Sequence, residues 1–331
     1  MSVRVSRAAL AAVASAASIA LLAGCGSSST STGSGSNAAG TSASASSSSS
    51  YPTADVVSGI AEDASLHAAL LAADPSAASG LTLGTTYQPG LTGLPHVGQS
   101  TASAASGATV DDIGVDIDLR NAVAKLLGTS WSVQNGTFAT IIPGVQNGKY
   151  AVGQDNFGVT SAREKIVDFS TYLTDGQALL APSDSTLSSV TNITQLCGLT
   201  IGTGAGTTFQ TILQTNASKC AAAGKKAYTV DYFSDNAAIW LGLANGRIDA
   251  YFGPTLSLKY DATHVANTKF LSQISSTPVG FVTAKGSPLA KVLTDAVNAL
   301  IADGDYAKIL DKWSIASSGI SDSQVNPPAT L

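Results

Sequence analysis

A chain of 331 residues, 44% apolar and 12% charged, is long enough for two ordinary domains and too apolar to stay disordered. Its net charge is −5, and its basic residues are scattered, with no Lys/Arg run interleaved with aromatics, which excludes a nucleic-acid partner.

The N-terminus carries Arg4 and Arg7, an apolar run from Ala8 to Leu22, and then "LAGC", Leu22 to Cys25. The run is short for a membrane span, and small residues sit directly before the cysteine. That is the order of a lipoprotein signal: residues 1–24 are removed and the Cys25 thiol is acylated, by palmitate or a similar chain. An ordinary signal peptide with an incidental cysteine is the alternative. From Gly26 to Ser50 every residue is Ser, Gly, Ala, Thr or Asn, so residues 25–50 read as a tether. A coil of that kind reaches about 25–30 Å and holds a folded body near the extracytoplasmic face of the cell membrane. With Cys25 given to a lipid, Cys197 and Cys220 remain as an even pair. A disulfide between them is expected, with two separately buried thiols as the alternative.

Residues 51–79 read as a helical lead-in, and "LTLGT" (Leu81 to Thr85) as the first buried strand. Gly90 to Asp112 is rich in Gly, Ser and Thr and has no periodicity, so it reads as a long loop. In "DLRNAVAKLLG" Leu119, Ala122, Val123, Leu126 and Leu127 fall at helical spacing, with Asp118 as cap and Gly128 as stop. Strand and helix then alternate: "SWSVQN", a helix over "TFATIIPGVQNG", "AVGQDN", a helical turn opening in "GVTSAREKIVDFS", and the apolar run "GQALLAP". The alternation resumes with "LTIGT", a helix after "GAGTT", "AYTV", a helix over "SDNAAIWLGLANG", and "DAYFG". "PVGFVTAK" and a helix over "SPLAKVLTDAVNALIADG" follow, with Ser287 as cap and Pro288 at the first helical position. Two α/β lobes are implied.

From Leu81 to Trp313 the chain resembles the polar amino-acid class of solute-binding proteins that serve ABC importers. "GVDIDLRNAVAKLLG" looks like that class's Gly-aromatic-Asp-x-Asp-Leu helix start, with Val115 at the aromatic position. "TFATIIPGVQNGKY", "VTSAREKIVDFSTYLTDG", "GAGTT", "LANGRIDA" and "GDYAKILDKW" look like its further segments. The resemblance implies an α/β, two-lobe periplasmic-binding-protein fold of type II. Lobe one would be residues 80–177 and 279–314, lobe two residues 178–278, and residues 315–331 a C-terminal tail. It further implies capture of a small carboxylate-bearing solute in the interlobe cleft by a monomer, and its delivery to a permease and ATPase. In open α/β sheets such clefts lie at the carboxyl ends of strands, where helix N-termini offer free N–H groups to anions.

Carried over by that resemblance, Arg163 pairs with a ligand carboxylate and Thr208, with Thr207 beside it in "GTT", faces it from lobe two. Thr160 is the hydroxyl of the Arg163 segment. Phe138 packs on the ligand side chain, Tyr87 is a second such aromatic, and Asn156 and Gly158 are strand-end contacts. Two acids that usually hold a ligand ammonium are missing: Thr85 and Thr86 follow Gly84, and Gly253-Pro254 follows "RIDA". Asp155 is the acid left for that role, and a ligand without an amine is the other possibility.

Rival chemistries find less support in the residues. "GTGAGTT" is not G-x-G-x-x-G and lacks a following Gly-Lys-Ser/Thr, so no nucleotide cofactor is expected. His67, His96 and His264 stand apart in the sequence, so neither a metal site nor Ser-His-Asp catalysis is expected. An enzyme on this fold, a dehydratase or cell-wall lyase, needs a placed acid or base, and the only glutamates are Glu62 and Glu164. No catalytic residue is therefore expected. A solute-sensing receptor lobe would use the same cleft.

Overall fold

The computed structural model describes residues 51–86, 88–100 and 111–331. Cys25, the signal, the tether and Tyr87 lie outside the described residues. Helix α1 (Ala64–Ala73) is capped by the Asp63 carboxylate, which accepts from the amides of Ser65 and Leu66. Leu70 is buried in the core beneath it, so the lead-in is part of the first lobe's packing.

Strand β1 (Leu81–Thr86) is followed by two short paired strands, β2 (Gly98–Gln99) and β3 (Asp112–Ile113), and by α2 (Val115–Leu126). β4 (Trp131–Gly136), α3 (Phe138–Gln146) and β5 (Val152–Gly158) complete this stretch. Helix α2 starts three residues before the expected cap. Gly114 takes φ 139°, where a Cβ would come within 2.0 Å of the His96 carbonyl oxygen, so the turn into the helix is fixed there. Asp118 is therefore not a cap; its carboxylate accepts from Trp313 Nε1 at 2.6 Å and Lys312 Nζ at 2.8 Å.

Strand β6 (Val167–Pro182) begins nine residues before the apolar run that predicted it, and it passes from one lobe to the other. Then come β7 (Thr200–Gly204), α4 (Thr208–Asn216), α5 (Ser218–Ala222), β8 (Thr229–Phe233), α6 (Asn236–Ala244), β9 (Ala250–Pro254) and α7 (Thr255–His264). Strand β10 (Thr268–Ala284) returns antiparallel to β6, and α8 (Leu289–Ala302) and α9 (Asp305–Lys312) finish the first lobe. The cap of α8 is Pro288, one residue after the expected Ser287, whose Oγ accepts from the Leu289 amide at 3.3 Å.

The strand order is β4-β1-β5-β10-β6-β9-β7-β8. Outer strands pair with β10 and β6 only at their two ends: Val279 opposes Gly158 on one side, and Gln177 opposes Pro254 on the other. Between these points Thr174, Asp175 and Gly176 pair only with Pro278, Thr277 and Ser276. This two-stranded bridge is where the sheet divides. Apolar side chains of α2, α8 and α9 cover one face of the first lobe, and Ile141, Val145, Tyr150 and Phe157 the other. Separate cores around Leu179, Ile201 and Phe252 and around Leu180, Ile239 and Leu258 build the second. Cys197 and Cys220 are joined by a disulfide with Cα atoms 5.6 Å apart, tying the segment before β7 to α5.

The final residues lie along β6. Val325 bridges to Ser170, Asn326 Nδ2 donates to the Asp168 carboxylate at 2.7 Å, and the Leu331 carbonyl oxygen accepts from the Ser161 amide at 3.1 Å.

Candidate functional site

A cavity of about 450 Å³ opens between the two lobes, within the usual range for small-ligand sites. Thr86, Thr137, Phe138, Asp155, Asn156 and Gly158 line it from lobe one, and Thr207, Thr208, Phe209, Phe233, Asn236 and Tyr251 from lobe two. Strand ends and helix starts meet here, as the sheet topology requires.

Helix α4 points its N-terminus at the cavity. Thr207 Oγ1 accepts from the Gln210 amide at 3.2 Å and donates to the Gly204 carbonyl at 2.7 Å, so this hydroxyl serves the cap. The first amides of the helix, beginning at Thr208, have no partner within it and carry its positive end. Gly206, at φ 77°, brings the backbone so near lobe one that a Cβ there would lie 3.0 Å from Ala139 Cβ.

Arg163 stands on a turn rather than a helix. Thr160 Oγ1 accepts from the Arg163 amide, the Thr160 carbonyl from Glu164, and the Arg163 carbonyl from both Ile166 and Val167. The helix expected here stops after one turn because the chain is drawn into β6, where Val167 and Phe169 are fully buried. The guanidinium lies 5.5 Å from the Phe138 ring centroid and 5.6 Å from that of Phe157. It donates to the Gly158 carbonyl at 3.0 Å and, across the cleft, to the Gly206 carbonyl at 3.2 Å. Arg163 and Thr160 are thus not cavity wall in this conformation; they sit at its edge and join the lobes. Burial lowers the Arg163 pKa to about 10, and the Asp155 charge pulls the other way.

Asp155 lies inside. One carboxylate oxygen accepts from Thr86 Oγ1 at 2.9 Å, and the other is buried without a partner. Burial lifts this carboxyl to about 7, against the opposing effects of the Thr86 hydrogen bond and the charges of His96 and Arg163. Thr86 also accepts from Gln88 Nε2, whose side-chain carbonyl accepts from Asn236 Nδ2 at 2.9 Å. This chain of hydrogen bonds runs from Asp155 to the head of α6 in lobe two. Asn156, at φ 50°, donates from Nδ2 to Asp175 at 2.8 Å, while its Oδ1 is buried without a partner.

No motif or spacing points to a second group of residues. His96, remote from any acid in the chain, is held between Asp116 at 3.6 Å and Asp175 at 3.0 Å. The two carboxylates, working against desolvation, raise its pKa to about 10. Asp175 is on the two-stranded bridge and also accepts from the amides of Gly176 and Leu256, the latter at the start of α7. Only the fold brings these together, since His96 and Asp175 are separated by 79 positions. Asp261 on α7 lines the cavity too, with neither carboxylate oxygen hydrogen-bonded. Among the described residues no group of three or more His, Cys, Asp or Glu is arranged to hold a metal ion.

Residues 105–316 match the family described as bacterial extracellular solute-binding proteins, family 3. The chain is 31% identical over 215 residues to "ABC transporter arginine-binding protein 1" of Escherichia coli (strain K12), spanning 62% of this chain and 84% of that one. A solved structure described as "an ancestral arginine-binding protein bound to arginine" is 29% identical, with a TM-score of 0.60 over 71% of this chain and 98% of that one. Another, the ancestral amino acid-binding protein AncCDT-1, "a precursor of cyclohexadienyl dehydratase", is 25% identical with a TM-score of 0.62, covering 73% of this chain and 99% of that one.

Proposed function

The chain belongs to the bacterial extracellular solute-binding proteins, family 3, and from that membership we propose that it captures an amino acid or related carboxylate outside the cytoplasmic membrane and delivers it to an ABC permease and ATPase. The observation that carries this reading is the cavity walled by both lobes, with the N-terminus of α4 and an unpartnered Asp155 oxygen inside it. A free α-amino acid has the complementary pair of charges. Its carboxylate fits the amides of α4, Thr208 and the unused N–H groups of Arg163, and its ammonium fits Asp155. Phe138 packs on the ligand beside Arg163. The dehydratase precursor among the similar structures is itself described as an amino acid-binding protein, so it weighs with capture rather than turnover. Cys25, on this reading, is the acylated N-terminus that keeps the protein at the membrane.

The test is titration calorimetry of Arg163→Ala with circular dichroism to establish folding, after a thermal-shift screen has named the ligand. Losing one partner of a desolvated charge pair costs about 2–5 kcal/mol, or about 30-fold to several-thousand-fold in Kd, and Arg163→Lys should recover only part of it. A folded Arg163→Ala protein with undiminished affinity would remove Arg163 from the site.

A further inference from the structure

Residues 317–331 lie beyond the family match, and they divide into an inner and an outer part. The inner part is an anchor on the first lobe. Asn298 and Ser323 exchange hydrogen bonds at 3.0 and 2.7 Å, and the Gln324 carbonyl accepts from the Thr171 amide at 3.1 Å. Asn326 Oδ1 accepts from the Phe169 amide at 2.9 Å while its Nδ2 donates to Asp168.

The outer part, residues 327–331, leaves β6. Asn326 turns the chain at φ 49°, and Pro327 and Pro328 then restrict the backbone, so little conformational freedom is lost in setting its course. Ala329 packs on the same apolar cluster as Phe138 and Phe157, the two rings beside the Arg163 guanidinium. Thr330 Oγ1 donates to Thr277 Oγ1 at 3.0 Å, and Thr277, opposite Asp175 on the two-stranded bridge, donates in turn to the Val159 carbonyl at 3.2 Å. The Leu331 carbonyl accepts from the Ser161 amide at 3.1 Å. The backbone that leads into the Arg163 turn is therefore held on one side by the bridge and on the other by these five residues.

That turn needs outside support. The Glu164 amide returns to the Thr160 carbonyl but no helix follows, and a lone turn is marginal because several residues must be fixed for one hydrogen bond. Arg163 nevertheless reaches across the cleft to the Gly206 carbonyl at 3.2 Å. A contact of that kind depends on a backbone ordered beforehand. Thr277 adds a second consequence, since the bridge is the segment whose dihedral angles must absorb any rotation of the lobes.

We infer that residues 327–331 are a positioning strap: by gripping Ser161 and Thr277 together they hold the Arg163 turn and the bridge in the arrangement in which Arg163 spans the cleft. Thr330 and Leu331 do not line the cavity, so they set affinity through Arg163 and not by touching the solute. The inference rests on the reading of Arg163 as a ligand contact.

The experiment uses the full chain, its Thr330→Val variant, which keeps the shape and loses the hydroxyl, Thr330→Ser, which restores it, and a chain ended after Asn326, which keeps the anchor. Amide hydrogen exchange, followed by mass spectrometry with no ligand added, should speed about tenfold over residues 161–167 in the shortened chain and by a smaller factor in Thr330→Val. Thr330→Ser should match the wild type, and residues 168–173 should exchange alike in all four. Titration with L-arginine as the probe should show affinity about three- to tenfold weaker in the same two variants, the modest loss expected of a few partly exposed hydrogen bonds, with recovery in Thr330→Ser. Unchanged exchange over 161–167 in both the shortened chain and Thr330→Val overturns the strap, whether or not L-arginine binds. Exchange that speeds equally over 161–173 overturns it too, because the tail would then only cover β6. Faster exchange at 161–167 with undiminished L-arginine affinity removes its positioning role. Arg163→Ala that binds L-arginine as tightly as the wild type refutes the reading of Arg163 and leaves the exchange result standing, so the two failures are distinct.

Discussion

Asp155→Asn removes one charge from the cleft, and its effect should change sign with pH and with ligand. In the folded protein burial holds the carboxyl at about 7 against an ordinary 3.8, so the folded state binds a proton more tightly than the unfolded state does. Stability from this group is therefore fully present below about 3.8 and is lost as pH rises through 7. The difference corresponds to about 4 kcal/mol at pH 8. Asparagine carries no such pH term. It keeps the Thr86 hydrogen bond to its carbonyl oxygen but leaves amide N–H groups without a partner, at about 1–3 kcal/mol. The variant should melt below the wild type at pH 4, where the wild type has lost only about 0.6 kcal/mol of this term, and above it at pH 8, each kcal/mol moving Tm by about 2–4 °C in a chain of this size. A ligand ammonium reverses the order at pH 8, because the wild type gains a paired charge that the variant lacks. Thermal melts at the two pH values, with and without ligand, provide the check. A Tm difference that does not change with pH would show that Asp155 is neither desolvated nor waiting for a cation, and the amine assignment would fall with it.

Gly206→Val should weaken ligand binding about tenfold or more without loosening either lobe, since it strains a left-handed backbone and drives a side chain into Ala139; unchanged affinity with an unchanged radius of gyration on ligand addition would refute this. Reducing the Cys197–Cys220 disulfide, whose cysteines are separated by 23 in sequence, should cost about 3 kcal/mol in urea unfolding, and coincident curves with and without reductant would count against it. Cys25→Ser should release the protein from the membrane fraction and abolish labelling by a fatty-acid analogue, whereas retention in membranes would dispose of the anchor.

Much of this fold is legible because local chemistry and tertiary structure agree. The apolar faces of α2 and α8 and the strands β1, β7 and β9 read directly from their periodicity. Where they conflict, the chain misleads. Asp118 has the makings of a cap, yet Gly114 starts the helix earlier because only glycine fits against His96. The Arg163 segment has helical composition, yet burial of Val167 and Phe169 in β6 ends it after one turn. Helix α7 passes unnoticed because Tyr260, Asp261 and His264 break up its apolar pattern, and one of those polar residues is buried. Among single residues, Phe138, Asp155, Asn156, Gly158, Thr207 and Thr208 are legible as candidates, and they line one cavity. The partners of His96 are not, since no spacing rule links Asp116 and Asp175 to it.

The closed arrangement also bears on where binding energy arises. Arg163 donates to Gly158 and Gly206, and Asn236 donates to Gln88, so the chain's own groups join the lobes in this arrangement. Closure in itself makes no new contacts when ligand enters this state. What the ligand changes is the set of unsatisfied groups: an Asp155 oxygen and Asn156 Oδ1. Each costs free energy while it is buried and unpaired, and each regains part of that on binding. Opening the cleft would expose these groups to water and relieve the same cost. An empty cleft is therefore biased toward opening and a filled one toward closure, by the difference in affinity of the two states for ligand. On the proposed reading, a solute that leaves the Asp155 oxygen unpaired cannot supply that difference. In this protein specificity and closure would accordingly be two consequences of the same buried carboxylate.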